Sequence, residues 1–235
     1  MIPERYQPER VNPEQLGGWL SWSLGFFTEP VLQNPYLDVT LQQDVTAAYA
    51  AYQTSKDELA GQGTFFAYLV WHLAQTLAAH PSMNLRRIDG QWYLLRNPPL
   101  FIPVAVGGEE RFRGMVLDDV YQQSYPDFVD NYARQLQQAR QPEIRQNDTS
   151  EVFRYAQFVG NLPYLRFSGL TLHWRPDQMV GQSYFYFGQR YQAGDRLLIP
   201  LAAKLHHACT DPLMLNELLS DFAKRFSANA SPTSS

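Results

Sequence analysis

The sequence predicts an α+β fold in which helices pack in layers against a mixed sheet. Helices are interspersed with strands along the first half of the chain, and about the last hundred residues are denser in strands and contain a late antiparallel run. No G-x-G-x-x-G segment follows a predicted strand, and no G-x-x-x-x-G-K-[ST] segment occurs. This order of elements disfavours a doubly wound nucleotide-binding sheet.

The first half of the chain is predicted to hold a strand and several helical segments. Residues 14–27 carry aromatic side chains and favour a short helix or turn, although glycines weaken it. Residues 37–46 alternate as in a strand, and Asp44 or Thr46 then caps a helix. Residues 64–81 are apolar around most of a helical circumference and end at a proline, so this helix is expected to be buried and central.

The rest of the chain is predicted to consist mainly of strands. Asp89-Gly90 predicts a tight hairpin turn in a strand region that extends from 86 to 107, and an amphipathic surface helix is predicted over 128–141. Further strands are predicted over 151–159, 164–174, 182–191 and 195–207. A final helix is predicted over 212–226 from apolar residues at helical spacing, namely Leu215, Leu218, Leu219, Phe222 and Phe226.

The composition is that of a globular protein. Of the 235 residues, 45% are hydrophobic and 18% are charged. No compositional break divides the chain, so we predict one domain over residues 1–226 and a disordered polar tail over 227–235. The formal net charge is −4 and the basic residues are scattered, which disfavours nucleic-acid binding.

Membrane segments and metal sites are also disfavoured. No stretch approaches the roughly 18 apolar residues of a membrane span. The opening MIPERYQPER carries charges and prolines in place of the apolar core of a signal peptide, so we expect a cytoplasmic protein. The single cysteine, Cys209, excludes an intrachain disulfide and a cysteine-rich zinc site, and no H-E-x-x-H segment is present, so we expect no metal.

The stretch HHACTDP, residues 206–212, is the strongest candidate for chemistry. An imidazole at a strand end can remove a proton from a hydroxyl near neutral pH. The same residues also fit a structural interpretation, in which a strand ends and Asp211 caps a helix that begins with Pro212. The local pattern leaves both interpretations open.

Three segments of the chain resemble the chloramphenicol acetyltransferase family. GDRLLIPLAAKLHHACTDPLMLNELLSDF is similar to that family's carboxy-terminal His-His-x-x-x-Asp-Gly motif. FVGNLPYLRFSGL resembles its strand with a Pro-aromatic pair, and FFAYLVWHLAQTLAAHPSMNLRRIDGQWYLL resembles its buried helix and hairpin. The likeness covers about residues 37–226. It implies a two-layer α+β domain that assembles as a homotrimer, with active sites at subunit interfaces.

The resemblance also implies a reaction and the residues that perform it. Acyl-CoA and an alcohol would enter a tunnel from opposite ends, and His207 would act as general base on the acceptor hydroxyl, which attacks the thioester. The co-substrate would be acetyl-CoA or another acyl-CoA. His206 would be a structural neighbour and Asp211 a bracing carboxylate.

The sequence departs from the family's pattern at three positions. Gly160 stands where the family has a serine whose hydroxyl steadies the tetrahedral intermediate. Loss of such a donor lowers rates by roughly 100- to 1000-fold, so Asn161, a backbone N–H or a water would have to substitute, and Gly160→Ser is expected to raise activity. No arginine lies between Arg10 and Arg86, so the family's partner of the motif's aspartate is missing, and Pro212 replaces a glycine.

Two functions therefore remain open. The first is an O-acyltransferase for a small apolar hydroxylated acceptor, held by aromatic residues that could otherwise be ordinary core: Trp19, Trp22, Phe26 and Phe27. The second is a divergent member of the same fold without acetyl transfer, which binds a small molecule, serves as a scaffold or catalyses another reaction in the same tunnel.

Overall fold

A computed structural model describes residues 2–32, 34–59, 61–141, 150–172 and 180–228. It confirms the predicted α+β class. The α-helices in these ranges are α1 Pro13–Leu16, α2 Gly18–Phe26, α3 Thr46–Glu58, α4 Phe65–Ala79, α5 Tyr125–Arg140 and α6 Pro212–Ala228. The strands are β1 Pro8–Val11, β2 Tyr36–Asp44, β3 Leu85–Ile88, β4 Gln91–Leu95, β5 Leu100–Gly107, β6 Arg111–Leu117, β7 Gln157–Asn161, β8 Ser183–Phe187, β9 Tyr191–Ala193 and β10 Arg196–His206.

The larger sheet is mixed. Its strand order is β2–β10–β8–β7–β5–β6, with β9 paired to β10 outside this path. Strands β5, β7 and β8 run parallel to one another, whereas β10 is antiparallel to both β2 and β8. The carboxyl ends of β7 and β8 therefore lie at one end of the sheet, and the carboxyl end of β10 lies at the opposite end.

Helices cover one face of this sheet. Residues of β5, β8 and β10 share a core cluster with residues of α3, α4, α5 and α6. Helix α4 contacts the other three helices, and ten of its fifteen residues are buried. Thr64 begins it, because the Thr64 hydroxyl accepts a hydrogen bond from the backbone N–H of Ala67. The prediction of a buried central helix is confirmed.

The opposite face of the sheet, here named the aromatic face, carries Phe101, Phe158, Tyr184, Tyr186 and Ala202. Successive side chains of a strand point to opposite faces, which separates this cluster from the core under the helices. Partly buried residues of the segments 150–155 and 162–172 pack against it, namely Val152, Phe153, Leu162, Phe167, Leu170 and Leu172.

The smaller sheet has the order β1–β4–β3. The predicted turn between β3 and β4 is confirmed: Asp89 and Gly90 have φ angles of 50° and 78°, as a tight hairpin requires. Trp92 of this sheet clusters with Leu24 of α2 and with Cys209, just beyond β10. This packing places α2 beside the end of β10.

Two strand predictions need correction. The predicted strand over 164–174 is wrong for residues 164–172, which form no strand, and residues 173–174 lie outside the described ranges. The backbone of this segment finds side-chain partners of β2 in place of a ladder: the Leu170 N–H donates to the Thr40 hydroxyl at 3.2 Å. The strand predicted over 151–159 begins only at Gln157.

Strands β1 and β6 were not predicted. Both carry charged residues, and both lie at the edge of a sheet, where charged side chains are tolerated and alternation is weak. Helix α6 continues to Ala228, two residues beyond its predicted end, and residues 229–235 lie outside the described ranges. None of the described helices is both long and apolar enough to cross a lipid bilayer.

Candidate active site

His207 lies just beyond the last paired residue of β10. The register pairs His206 with Tyr36 of β2, and the backbone N–H of His207 donates to the carbonyl of Pro35 at 2.7 Å. This bond fixes the chain at the point where the strand ends. The side chain of His207 is partly exposed, in contrast to the buried residues that precede it.

The imidazole of His207 is held in one tautomer. Its Nδ1 lies 2.8 Å from the carbonyl oxygen of Thr210. Because a carbonyl oxygen only accepts hydrogen bonds, Nδ1 carries the hydrogen and Nε2 is left with a lone pair. The ring of Phe27 stacks on the imidazole with centroids 4.1 Å apart and planes 16° apart, and Trp19 lies 6.1 Å away. The arrangement suits a proton acceptor in an apolar surrounding.

His206 plays a different part. It is 2% exposed, and its Nδ1 accepts a hydrogen bond from the backbone N–H of Ala208 at 3.2 Å. Burial, followed by the charge of His207 and that of Arg86, lowers the pKa of His206 to about 3. His206 therefore stays neutral and anchors the loop, as the structural role predicted for it requires.

Asp211 adopts the capping geometry that the sequence predicts. Its Oδ1 accepts a hydrogen bond from the Met214 N–H at 2.8 Å, and its backbone oxygen accepts from the Leu215 N–H at 3.0 Å. Pro212 is the first residue of α6. Within the part of the chain that the structure describes, no basic side chain forms a salt bridge with Asp211.

Of the four predicted aromatic residues, Trp19 and Phe27 contact His207, and Trp22 and Phe26 extend from Phe27. Trp22 stacks on Phe26 with centroids 4.6 Å apart, and both contact Phe27 edge-on. Trp22 is 52% exposed and Phe26 is 39% exposed, so they are not core residues. Ser23, which the sequence did not suggest, anchors α2 here, because its hydroxyl donates to the Ala208 carbonyl at 2.7 Å.

Gly160 and Asn161 lie far from His207 in the same chain. Gly160 pairs with Tyr186, and Tyr186 pairs with Ala202 of β10. His207 is five residues beyond Ala202, which corresponds to roughly 17 Å along the strand and about 10 Å across two strand spacings. The structure therefore does not bring the predicted base and the predicted oxyanion region together within one chain.

The ring of Tyr186 occupies the space beside Gly160. A Cβ atom at residue 160 would lie closer than 3.0 Å to two ring carbons of Tyr186, so a serine fits only if that tyrosine moves. The expectation that Gly160→Ser simply restores a donor is wrong for this reason. Asn161 pairs with Phe187 and lies on the other face of the sheet.

A cavity of about 850 Å³ opens at the carboxyl ends of β5, β7 and β8. Its walls are mostly apolar, and its polar groups include Asn161, Gln189, Arg140 and Arg190. Tyr164, 90% exposed, lies at its rim. No sequence motif indicated this cavity; the only signal was the Pro163-Tyr164 pair, which lines it.

The remaining histidines do not add to the site. His72 is 2% exposed, and burial lowers its pKa to about 4. His80 pairs with Asp221 at 3.1 Å, and His173 lies outside the described residues. Among the described residues, no group of three or more His, Cys, Asp or Glu side chains could hold a metal ion.

Arg86, for which no role was predicted from the sequence, is buried in the same region and connects several of its segments. It has no exposed surface, and its guanidinium donates to the carbonyls of Met83, Leu85, Gly181 and Ala156 at 2.8–3.3 Å. Burial lowers its pKa. These bonds tie the starts of β3, β7 and β8 together.

Known proteins share this fold, and curated relatives share a quarter of the aligned sequence. A chloramphenicol acetyltransferase of Klebsiella sp is 25% identical over 183 residues, which cover 76% of this chain and 79% of the relative. The solved structure of a chloramphenicol acetyltransferase superimposes with a TM-score of 0.75 at 18% identity, over 93% of this chain and 99% of that one. The solved structure of a dihydrolipoamide acetyltransferase of Azotobacter vinelandii superimposes with a TM-score of 0.65 at 18% identity, over 95% of this chain and 91% of that one.

The family model described as chloramphenicol acetyltransferase matches residues 31–222. That range contains β2 to β10 and most of α6, and with them His207, Asp211 and Gly160. The match covers well over half of the chain. The protein therefore belongs to the chloramphenicol acetyltransferase family and is an acyltransferase.

Proposed function

We propose that this protein transfers an acetyl or other acyl group from coenzyme A to the hydroxyl of a small apolar acceptor, with His207 as general base. The observation that carries the proposal is the bond between Nδ1 of His207 and the Thr210 carbonyl. It leaves Nε2 as the proton acceptor on a ring whose orientation is fixed on one face by Phe27.

The proposed reaction balances without a further reactant. Nε2 of His207 takes the proton of the acceptor hydroxyl while its oxygen forms a bond to the thioester carbonyl carbon. The carbonyl oxygen carries the negative charge of the tetrahedral intermediate. When the carbon–sulfur bond breaks, the departing thiolate takes the proton back from the imidazolium, and the products are an ester and free coenzyme A.

The acceptor is proposed to bind against the aromatic residues of α2 and against Phe27, which follows it. Phe27 and Trp19 contact the imidazole, and Trp22 and Phe26 extend the apolar surface outward. The free hydroxyl of such an acceptor would meet Nε2, while its apolar body is withdrawn from water.

Coenzyme A is proposed to enter through the cavity at the opposite end of the sheet. Its volume of about 850 Å³ falls within the range of small-molecule sites. Arg140 and Arg190 supply positive charge at a mouth that would receive phosphates, and the exposed ring of Tyr164 offers a stacking surface.

A complete site would then need two copies of the chain. His207 and Gly160 are separated by roughly 17 Å along the strands within one chain. We propose a homotrimer in which His207 of one copy lies opposite the Gly160 end of the sheet in the next copy. Light scattering should then give three times the chain mass of 27.1 kDa, and a mass of one chain would contradict the assembly.

The function is tested by free-thiol release from acetyl-CoA with a panel of alcohols, chloramphenicol included. Turnover is expected with at least one apolar alcohol, and His207→Ala should lower kcat on the order of 1000-fold. His80→Ala is the matched control, because the imidazole of His80 pairs with Asp221 and belongs to no part of the proposed site. Absence of turnover, together with absence of a CoA-induced shift in melting temperature, would contradict the proposal.

A second function is binding without acyl transfer. It is favoured by one observation, the glycine at residue 160 where a side-chain donor is expected from the family resemblance. In that case the protein would bind apolar alcohols or coenzyme A with measurable affinity and show no His207-dependent thiol release.

A further inference from the structure

We propose that the hydroxyl of Tyr186 supplies the hydrogen bond to the developing oxyanion that no side chain at residue 160 can supply. This role rests on the acyl transfer proposed above and deepens it. Tyr186 would then be a catalytic residue on β8, the strand next to β10, and it lies outside any sequence motif noted above.

The ring of Tyr186 fills the space beside Gly160. Residues 160 and 186 are direct partners in the β7–β8 ladder. The Tyr186 ring lies where a side chain of residue 160 would begin, so close that even a Cβ atom would clash with it. Tyrosine and glycine are therefore complementary here: the ring can take this position only because residue 160 has no side chain.

Tyr186 also lies on the same face of the sheet as residue 160. A group that replaces a side chain of residue 160 must come from the same face as residue 160. Tyr186 belongs to that face, the aromatic face, whereas Asn161 pairs with Phe187 and lines the cavity on the side of the helices. The geometry favours Tyr186 over Asn161, which the sequence had suggested as the substitute.

The Tyr186 hydroxyl is available to donate a hydrogen bond to a bound substrate. Among the described residues it has no hydrogen-bond partner, yet it is not one of the buried polar atoms sealed from solvent. The side chain as a whole is only 9% exposed, so the ring is fixed by packing while its oxygen still reaches the surface. A donor held in this way is preorganised for an oxyanion.

The protonation state suits the role. Burial raises the pKa of Tyr186 to about 12, so the phenol keeps its hydrogen throughout the neutral and mildly alkaline range. In the proposed step Tyr186 donates a hydrogen bond to the carbonyl oxygen as that oxygen becomes negative. No bond to the tyrosine forms or breaks, and the transferred proton still passes to His207 of the neighbouring copy and then to the thiolate.

The experiment compares Tyr186→Phe with Tyr184→Phe in the thiol-release assay. Tyr184 is a suitable control, because it lies on the same strand and the same face but two residues away from Gly160. For Tyr186→Phe, kcat is expected to fall on the order of 100-fold with KM for acetyl-CoA within about twofold of wild type. The melting temperature should be unchanged, because the hydroxyl has no partner to lose.

A second pair of variants tests the same idea by rescue. Tyr186→Ala removes both the donor and the ring that blocks residue 160. Adding Gly160→Ser to Tyr186→Ala then places a hydroxyl in the vacated space and should raise kcat at least tenfold above Tyr186→Ala alone. Adding Gly160→Ala to Tyr186→Ala is the control, because it fills part of the same space without a hydroxyl and should not raise kcat.

The outcomes separate the two proposals. Turnover that depends on His207 but is unchanged in Tyr186→Phe, or no gain from the added serine, would overturn the role of Tyr186 and leave the acyltransferase intact. A wild-type protein without any turnover would overturn both.

Discussion

The two ends of the larger sheet are built differently. At the His207 end, the imidazole is held by a hydrogen bond to Thr210, three residues along the chain, and by the ring of Phe27, the residue that follows α2. At the Gly160 end, the surroundings of the glycine come from Tyr186 on a neighbouring strand and from a cavity between strand ends and helices.

This difference shows where divergence can occur without loss of the fold. The His207 loop depends on several local hydrogen bonds that fix one ring position, so most changes there would displace the base. At the Gly160 end, one of the two paired residues has no side chain, and the ring of Tyr186 fills the space beside it. A change at one of these residues alone alters how that space is filled, whereas a paired change can keep it filled.

Acid should affect the His207 end more strongly than the Gly160 end. The folded-state pKa of His206 is about 3, below the ordinary value of 6.5, so the unfolded chain takes up the proton first. The stability that neutral His206 contributes is complete above about pH 6.5 and is lost as the pH falls toward 3, with a slope of about 1.4 kcal/mol per pH unit.

The matched variant for this effect is His206→Asn, whose side-chain oxygen can replace Nδ1 as the acceptor for the Ala208 N–H. Urea unfolding between pH 7 and pH 4 should give a slope smaller by about 1.4 kcal/mol per pH unit in this variant. Burial also lowers the pKa of His72, so part of the pH dependence of stability remains in His206→Asn. Tyr186→Phe should leave the slope at its wild-type value, and an equal slope in His206→Asn and wild type would contradict the assignment.

Adding one methyl group should have opposite effects at the two ends. Gly160→Ala places a Cβ against the Tyr186 ring and should lower the free energy of unfolding by about 1–3 kcal/mol. Gly25→Ala in α2 meets open space and should raise it by about 0.5–1 kcal/mol, because alanine favours the helix. Gly169→Ala, also in open space, is the neutral control in chemical denaturation. If Gly160→Ala and Gly169→Ala change the free energy of unfolding equally, the ring of Tyr186 moves aside without strain.

Removal of the stacked ring should displace the base. Phe27→Leu removes the ring that stacks on the imidazole of His207. Because the imidazole then loses its fixed orientation, kcat is expected to fall roughly tenfold. Phe26→Leu is the control, because Phe26 contacts Trp22 and Phe27 but has no ring contact with His207. Steady-state kinetics should show a change in acceptor KM alone for Phe26→Leu. If the two variants lower kcat equally, the stack has no special role.

The sequence predicted what depends on neighbours along the chain. The strand of β10, the cap by Asp211 and the helix start at Pro212 follow from residue types within a few positions of one another. Ser23 was missed because its partner, the Ala208 carbonyl, is 185 residues away. Tyr186 was missed because only the register of β7 against β8 brings it over Gly160, and register is not encoded in a motif.

The smallest expected effect separates capping from electrostatic bracing at Asp211. Asp211→Ala removes the acceptor of the Met214 N–H and should lower the free energy of unfolding by about 1 kcal/mol. Asp211→Asn keeps that acceptor and should unfold at nearly the wild-type denaturant concentration. Because no basic side chain pairs with Asp211 among the described residues, neither variant should change kcat by more than about twofold. If Asp211→Asn keeps its stability but loses most of its activity, the carboxylate charge itself acts on the His207 end, and the cap is only the lesser of its two roles.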